Sequence, residues 1–429
     1  MPLHGGWVRL APFAVATVVG FAGLAAEPAP PAAPLEMALP SVIRQAVERN
    51  PGLRAARSRW LAAVELYPQA LSLPDPMLEY RYTAMDTSTR LGVSQVLPPP
   101  TMILAESRMA LAEAQMARLK VDLALRDLIV DVKISFHELA YLERAITITQ
   151  QNHDLLQHIE SVAAARYAQD QATLNDLLKS QAQTAQLDYD LVLLRELLEV
   201  ERVRLASLLD LPSATLFGPV VASSLEPLEL TSEEVEQRAL VGRQEIELMR
   251  VEVKRAGLGV DLAESRWWPE LKLMVTTVAD AGTGERLDAK DAWMAEVSVS
   301  LPLDVRKKRA GVRQALAERE AAAGDLRAMA AETRALVRKA YFAAHNARRL
   351  VDLYEKTLIP QAKQAMEIAE AWNVDKEKNL PGLLETQSTW LNFNLARLRA
   401  MTDYQQSLAR LERLAGGLLT APQPLEATP

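Results

Sequence analysis

The side chains that most often carry chemistry are few in this chain, and their spacing does not favour a reaction. The 429 residues include five histidines and no cysteine. His153 and His158 are five residues apart, which does not bring both side chains to one helix face as a spacing of four would. Without cysteine there is no disulfide, thiolate metal site or thiol nucleophile. We expect no metal site at the histidines.

Methionine and glycine motifs point the same way. Thirteen methionines suggest soft-metal binding, but four of them are scattered through the strand regions, where filling space is their expected role. Gly282-Thr283-Gly284 lacks the third glycine and the helix of a phosphate-binding loop. The sequence holds no HExxH, nucleophile-elbow or Walker motif, so we expect no enzyme, no catalytic residue and no cofactor. The four methionines are Met77, Met85, Met274 and Met294.

The net charge and the residues near the two ends of the chain limit the classes of protein that fit this sequence. A net charge of −7, with no basic stripe among aromatics, argues against nucleic acid as a partner. Arg9, the apolar run 10–24 and the small residues before Glu27 predict a signal peptide over 1–26, although an uncleaved anchor helix fits the same pattern. A Pro-rich leader is expected over 27–40, and a flexible tail over 417–429.

The chain repeats itself. "SLPDPML" at Ser72 returns 193 residues later as "SRWWPEL", and "GVSQVLP" at Gly92 returns 204 residues later as "EVSVSLP". "ATLNDLLKSQ" at Ala172 returns after 206 residues as "KNLPGLLETQ". The same order at similar separations indicates a duplicated unit. We place repeat 1 at 41–211 and repeat 2 at 231–416, joined by a connection over 212–230.

Each repeat is predicted to run from a short helix through two strands into a helical hairpin. Residues 78–83, 91–94, 271–277 and 293–301 alternate in polarity, with polar breaks at 85–87 and 281–290. Strands of this length fit a tilted membrane span and also a soluble half-buried sheet. Thr101–Tyr167 contains neither proline nor glycine, which predicts about 100 Å of helix. A second helix is expected over 174–211, followed by a helix start at Thr231.

Leucines at steps of three and four predict coiled-coil seams in both hairpins. They are Leu187, Leu191, Leu194, Leu198 and Leu205, and in repeat 2 Leu391, Leu395, Leu398, Leu408 and Leu411.

Four strands do not close a membrane sheet. Two edges would stay unpaired, and buried backbone groups without partners cost several kcal/mol each. Because a membrane barrel needs at least about eight strands, two or more chains must share one barrel if these strands lie in a bilayer.

With these features the chain resembles the TolC family of bacterial outer-membrane efflux proteins, from about Ser41 to Gly416. The motifs that carry the resemblance are "QAVERNPGLRAARSRW" at 45–60, "PDPML", "VSQVLP" and the hairpin segments at 165–181 and 371–387. The resemblance implies a mainly α chain whose four strands join a trimeric twelve-stranded barrel in the outer membrane. A long periplasmic coiled-coil tunnel, a periplasmic adaptor and an inner-membrane pump, commonly of the RND class, complete the implied picture of a passive exit duct.

The resemblance also implies roles at the periplasmic tips. Adaptor contact is expected at Gln169, Asp170, Asn373 and Val374, although the glycine of the family's turn is absent from both tips. Glu385 matches an acidic residue that rings the closed tunnel, and Gly382 replaces another. Lys378 matches a basic residue that tethers the closed state. An ordinary solvated carboxylate is the alternative role of Glu385. The proposed constriction comprises Glu385, Lys378, Asp375 and Glu377.

Three tryptophans and two other functions complete the expectations. Trp267, Trp268 and Trp293 fit an interfacial aromatic belt and equally fit packing where barrel and tunnel meet. A type I protein-secretion component shares the fold, and a soluble periplasmic coiled-coil adaptor is the alternative from another class. Cargo, whether drug, metal ion or protein, is not readable from these residues.

Overall fold

The computed structural model describes residues 35–83, 88–169, 173–220, 225–280, 293–374 and 380–419. Their elements follow the predicted order, twice. They begin with β1 (Leu35–Met37), α1 (Leu39–Arg49), α2 (Pro51–Val64), α3 (Leu66–Leu71), β2 (Met77–Thr83), β3 (Ser88–Leu97), α4 (Pro100–Tyr167) and α5 (Leu174–Leu208). They continue with β4 (Phe217–Val220), α6 (Ser232–Gly242), α7 (Gln244–Ser265), β5 (Leu271–Asp280), β6 (Trp293–Val299), α8 (Val305–Leu353), a π-helical turn (Tyr354–Leu358), α9 (Ile359–Val374) and α10 (Leu380–Ala415).

The longest helix confirms the prediction made from its lack of proline and glycine. α4 runs without a break for 68 residues, or about 100 Å. Pro100 is accepted because the first helical position needs no backbone N–H donor. Small side chains near its start are buried, which lets neighbouring helices approach closely. They are Ala105, Ala110, Ala112 and Ala114.

α5 returns along α4 as a coiled-coil hairpin. Its first turn is closed by a capping box, in which Thr173 Oγ1 accepts from the Asp176 N–H and Asp176 Oδ2 accepts from the Thr173 N–H, both at 3.2 Å. Four leucines of the predicted seam are buried, so that prediction is confirmed for this hairpin. They are Leu187, Leu191, Leu198 and Leu205.

The segment before β2 differs from the single helix expected after residue 41. Asn50 interrupts it: its side-chain Oδ1 accepts from the Leu53 N–H at 3.0 Å and caps α2, while Nδ2 donates to the Leu208 carbonyl at 3.0 Å. Pro51 ends α1 because it cannot donate the hydrogen bond that continuation requires. β1 and the start of α1 also lie within the segment assigned to the leader.

β1 pairs in parallel with β4, so the connection between the repeats carries a strand that the sequence reading missed. Beneath this pair lies the largest buried cluster of repeat 1, where Met37 packs with Phe136, Leu139 and Leu205. The short sheet therefore ties the start of the described chain to the middle of the α4–α5 hairpin.

The second hairpin contains an irregular turn. The Ile359 N–H donates to the Tyr354 carbonyl, five residues back, and so forms a π turn within an otherwise α-helical rod. Pro360 follows directly. Since proline has no N–H and crowds the carbonyl four residues before it, regular α-helix is unfavourable here.

The four longer strands form one antiparallel sheet in the order β2-β3-β5-β6. β3 and β5 pair over ten residues, from Ser88 opposite Asp280 to Leu97 opposite Leu271, and this pairing joins the repeats. The predicted breaks at 85–87 and 281–290 lie outside the described residues.

The C-terminal end of α10 fits closely against the α6–α7 junction. Gly416 has a φ of 79°, and a Cβ there would lie 2.2 Å from the Gly242 carbonyl oxygen. At the other end of α6 the predicted helix start is confirmed by a Thr231–Glu234 capping box.

None of the helices in the described ranges combines the length and apolar character that crossing a bilayer requires.

Candidate functional site

One face of the four-stranded sheet is apolar and uncovered. Leu78 lies opposite Val93, and Val93 lies opposite Val275 on the next strand. Leu78 is 71% exposed and Tyr80 68% exposed. An apolar patch of this extent in water is an aggregation hazard and marks an interaction surface. Its exposed members are Leu78, Tyr80, Tyr82, Leu91, Val93, Leu271, Leu273, Val275, Trp293, Val297 and Val299.

The tryptophans occupy both ends of this face. Trp268 is exposed in the turn before β5, whereas Trp293 is exposed on the same sheet at the first residue of β6, opposite Thr277. On β5, six residues separate Leu271, which follows that turn, from Thr277, a rise of about 20 Å. Trp267 differs from both, since it is half-buried and lines a cleft with Val305 and Val312.

The opposite face of the sheet is polar. Lys272 Nζ lies 3.1 Å from Glu79 Oε1, which also accepts a hydrogen bond from Ser94 Oγ at 3.1 Å. Arg81 and Arg90 are directly opposite one another on β2 and β3. The sequence placed Arg81 in the first predicted strand, but Arg90 was missed because the second strand was predicted to begin at Leu91 rather than at Ser88.

Both outer edges of the sheet are open in the single chain. β2 pairs only with β3 and β6 only with β5 among the described strands. Open edges present unpaired N–H and C=O groups that template further strand pairing.

An ionic cluster joins the repeats at α4 and α7. Arg126 contacts Glu245 through Nη1–Oε2 at 2.7 Å and Nη2–Oε1 at 2.8 Å, and Arg243 Nε lies 3.2 Å from the same carboxylate. Burial by itself would raise the pKa of Glu245, but the hydrogen bonds from Arg126 and Arg243 outweigh it and lower the pKa to about 2. The carboxylate therefore stays charged.

Polar contacts also fasten α10 to α4. Lys133 Nζ lies 2.5 Å from Glu412, and Glu138 accepts from Arg399 at 2.7 Å and from Gln406 at 2.6 Å. Further towards the tip, buried Gln387 donates to the Asn152 side chain. Charge and hydrogen bonding therefore join the repeats here, together with an apolar cluster in which Leu384 and Leu391 pack with Leu156 and Ile159.

The tip residues are only partly within the described chain. Gln169 is exposed just beyond the end of α4. Asn373 and Val374 end α9, and Glu385 is exposed on the second turn of α10. Asp170, Asp375, Glu377 and Lys378 lie outside the described residues. Glu385 is thus the only described member of the proposed constriction, and its role there stays a prediction.

Two histidines of α4 are buried and differ in their surroundings. His153 Nε2 lies 2.9 Å from Asp188 on α5. Burial lowers the pKa of His137 to about 4, with a smaller contribution from the positive charge of Lys133. Within the described ranges no three His, Asp or Glu side chains come together as metal ligands. Met274 and Met294 line the polar face of the sheet.

Known proteins share this architecture. Residues 235–417 match the family model described as outer membrane efflux protein, and no curated protein matches the chain. The outer-membrane channel OprN is similar in structure, with a TM-score of 0.77, 18% identity and coverage of 89% of this chain and 90% of its own.

Two further solved structures are nearly as similar in fold. The outer membrane protein VceC from Vibrio cholerae has a TM-score of 0.75, 17% identity and coverage of 89% of this chain and 96% of its own. The open state of the MtrE outer membrane channel from Neisseria gonorrhoeae has a TM-score of 0.74, 19% identity and 89% coverage of both chains. Residues 235–417 are therefore similar to the outer membrane efflux protein family, and the fold of the chain is that of these outer-membrane channels.

Proposed function

We propose that this chain is the outer-membrane exit duct of a tripartite efflux system and acts as a homotrimer. The observation that carries the proposal is a four-stranded sheet, apolar on one face and open at both edges, mounted on two helical hairpins of roughly 100 Å. Three copies would give twelve strands, enough for a closed membrane barrel.

The internal duplication predicts how the strands of neighbouring chains pair in the trimer. β3 of repeat 1 pairs with β5 of repeat 2, so by the same relation β6 of one copy should pair with β2 of the next. The first strands of the two repeats are 193 residues apart and the second strands 204 residues apart. Shifting the β3–β5 register by these separations places Val299 of one chain opposite Tyr80 of the next, and Leu301 opposite Leu78. All four side chains belong to the apolar face. Ser298 then faces Arg81 on the polar face, so the pleat continues across the joint without a slip.

This register also supports closure. Across the sheet, Met77 lies opposite Ser94, Ser94 opposite Met274, and Met274 opposite Glu296. The predicted pairing between chains then places Glu296 opposite Thr83 of the next copy. Each copy thus advances the register by about six residues. With usual strand spacings this stagger gives a tilt of about 45°, which is the value expected for a membrane barrel.

The helices support the same joint. Within one chain, Arg399 and Gln406 of α10 contact Glu138 of α4. By the duplication, α5 corresponds to α10, and α8 corresponds to α4. The same contact between neighbouring copies would therefore bring α5 of the next copy against α8, with Leu193 and Val200 beside Phe342. Val200 is 66% and Phe342 67% exposed in the single chain. The proposed contact between copies is therefore apolar, and it covers surface that one chain leaves bare.

The membrane position follows from the sheet. Lipid would cover the apolar face. Its rise of about 20 Å from Leu271 to Thr277 is close to the height of a barrel's apolar band, whose two ends carry aromatic girdles, and Trp268 and Trp293 would lie at these two ends. Trp267 packs in its cleft instead. The helical hairpins would extend through the periplasm.

The tips would meet the other two components. Gln169, Asp170, Asn373 and Val374 are the residues proposed to contact a periplasmic adaptor, which in turn engages an inner-membrane pump, commonly of the RND class. Energy comes from the pump, so the duct itself needs no catalytic residue. Cargo of the small-molecule class is proposed.

Cysteine cross-linking tests the joint sharply, because the natural chain has no cysteine. In Tyr80→Cys/Val299→Cys the two Cα atoms should approach within about 4.5–5.5 Å, which suits a disulfide. We expect covalent dimers and trimers on a non-reducing gel from outer-membrane fractions.

The matched control is Tyr80→Cys/Ser298→Cys, whose side chains would lie on opposite faces and should not cross-link. Absence of any intermolecular product from the first variant, or a chain recovered as a water-soluble monomer without detergent, would reject the proposed assembly.

A further inference from the structure

We propose that Arg81 and Arg90 form an anion-binding site on the polar face of the sheet, which favours anionic cargo at the barrel. The inference rests on the proposed function, since that face lines the barrel interior only if the apolar face meets lipid.

The two arginines are placed against each other rather than against a carboxylate. They are directly opposite in the β2–β3 ladder, an arrangement that is destabilising for like charges unless a counter-charge is present. Among the described residues, neither arginine is in an ion pair. The nearby Lys272, by contrast, lies 3.1 Å from Glu79, so one pair on this face is neutralised and the arginine pair is not.

Arg90 adds a buried donor without an acceptor. Its Nε atom is shielded from solvent and has no hydrogen-bond partner within the described structure. A donor left unpaired in this way is costly, and an anion supplies what it lacks. Guanidinium groups suit carboxylate and phosphate because their planar N–H donors bind two oxygens at once.

The space beside the arginines fits a small anionic group. A cavity of about 70 Å³ is lined by Arg81, Arg90, Gly92, Thr276 and Met294, and it has room for a few waters or for one carboxylate or phosphate group. Gly92 leaves space on this side of the cavity, where a side chain would not fit, because a Cβ at Gly92 would lie 2.8 Å from Thr276 Oγ1.

The cavity also has an acidic side. Glu79 and Glu296 complete its lining. Lys272 and Ser94 engage Glu79, and Ser298 Oγ donates to Glu296 at 2.9 Å. Among Arg81, Arg90, Lys272, Glu79 and Glu296, three side chains are positive and two are negative, and only Lys272 and Glu79 form an ion pair with each other. Three copies of the arginine pair would form a cationic ring of the kind that selects anions in pores.

Planar-bilayer recordings of the full-length trimer in a potassium chloride gradient test the site. We expect the Arg81→Gln/Arg90→Gln variant to lower the chloride-to-potassium permeability ratio by at least about twofold. Inorganic phosphate should reduce the wild-type conductance and should do so more weakly in the variant. The charge-balanced control Glu247→Gln/Arg250→Gln removes an exposed ion pair on α7, away from the cavity, at constant net charge and should leave the permeability ratio unchanged.

A second variant guards against loss of folding. Arg81→Lys/Arg90→Lys keeps both charges but removes the planar donors, so we expect it to retain the permeability ratio and to lose most of the phosphate effect. Channels in which the glutamine variant matches the wild type in both readouts would overturn the anion site while leaving the duct intact. A wild-type trimer that forms no conducting pore would instead overturn the proposed function itself.

Discussion

The guanidinium of Arg126 on α4 holds the carboxylate of Glu245 on α7 through two contacts of 2.7 and 2.8 Å. This ion pair ties repeat 2 to the longest helix of repeat 1. Only 10% of the Arg126 side chain and 22% of the Glu245 side chain are exposed. Each group therefore depends on the other to offset the loss of water.

Removing one partner of this pair should be costly. Arg126→Ala leaves a half-buried carboxylate with a weaker cationic environment, and we expect a loss of about 2–4 kcal/mol in the free energy of unfolding. Chemical denaturation of the detergent-solubilised protein, followed by circular dichroism, measures it. The control is Arg250→Ala, which breaks the exposed Arg250–Glu247 pair and should cost less than about 1 kcal/mol. Equal losses would contradict the structural role.

Acid should destabilise the helical region in two stages. The folded-state pKa of His137 is lowered to about 4 from 6.5, so its stabilising contribution is complete above pH 6.5 and is lost as the pH falls towards 4. The folded-state pKa of Glu245 is lowered to about 2 from 4.5, so its contribution is lost between pH 4.5 and 2. Unfolding midpoints from pH 7 to 4 should fall in the wild type and stay flatter in His137→Gln. Parallel curves would rule out the histidine as the cause.

The close contact at the end of α10 predicts a sharp difference between two adjacent glycines. Gly416→Ala forces a Cβ into a left-handed backbone and against the Gly242 carbonyl, so we expect a loss of about 2 kcal/mol or more. Gly417 has open space around its would-be Cβ, and Gly417→Ala should be nearly neutral. Thermal unfolding of both variants, measured side by side, makes the comparison, and a similar shift for each would argue against the steric account.

Glu385 offers a test of the proposed constriction. If three copies of its carboxylate ring the tunnel, Glu385→Ala should lower cation selectivity and raise single-channel conductance, because a ring of charge and bulk is removed. Glu196→Ala, which changes an exposed carboxylate on α5, is the comparison variant. Unchanged selectivity and conductance in Glu385→Ala would leave this side chain as a solvated helix residue.

Periodicity predicted most of the architecture. The proline-free and glycine-free run after Thr101 became one helix, and the leucine steps of α5 became its buried seam, because local propensity and burial act together in long helices. The alternation in β5 and β6 also placed Leu273 and Val297 on one face, as the ladder shows.

What the sequence reading missed depends on contacts between distant segments. Asn50 splits the first helix partly because its side chain also binds the carbonyl of Leu208. β1 exists because β4, far along the chain, pairs with it. The opposition of Arg81 and Arg90 depends on the hairpin register, which residue types alone did not fix. The charged pairs between α4 and α10 were invisible for the same reason.

The π turn at Tyr354–Leu358 affects the height at which the helical rod of repeat 2 ends relative to α4. In repeat 2 the helical rod that runs towards the tip consists of α8, the π turn and α9, with 49, 5 and 16 residues. The corresponding rod of repeat 1 is α4, with 68 residues. A π turn takes up one residue more than an α turn, so half of the two-residue surplus is absorbed at this turn, high above the tip. The two rods can then end at nearly one height. A trimer built from six such rods would present an even rim to whatever docks beneath it.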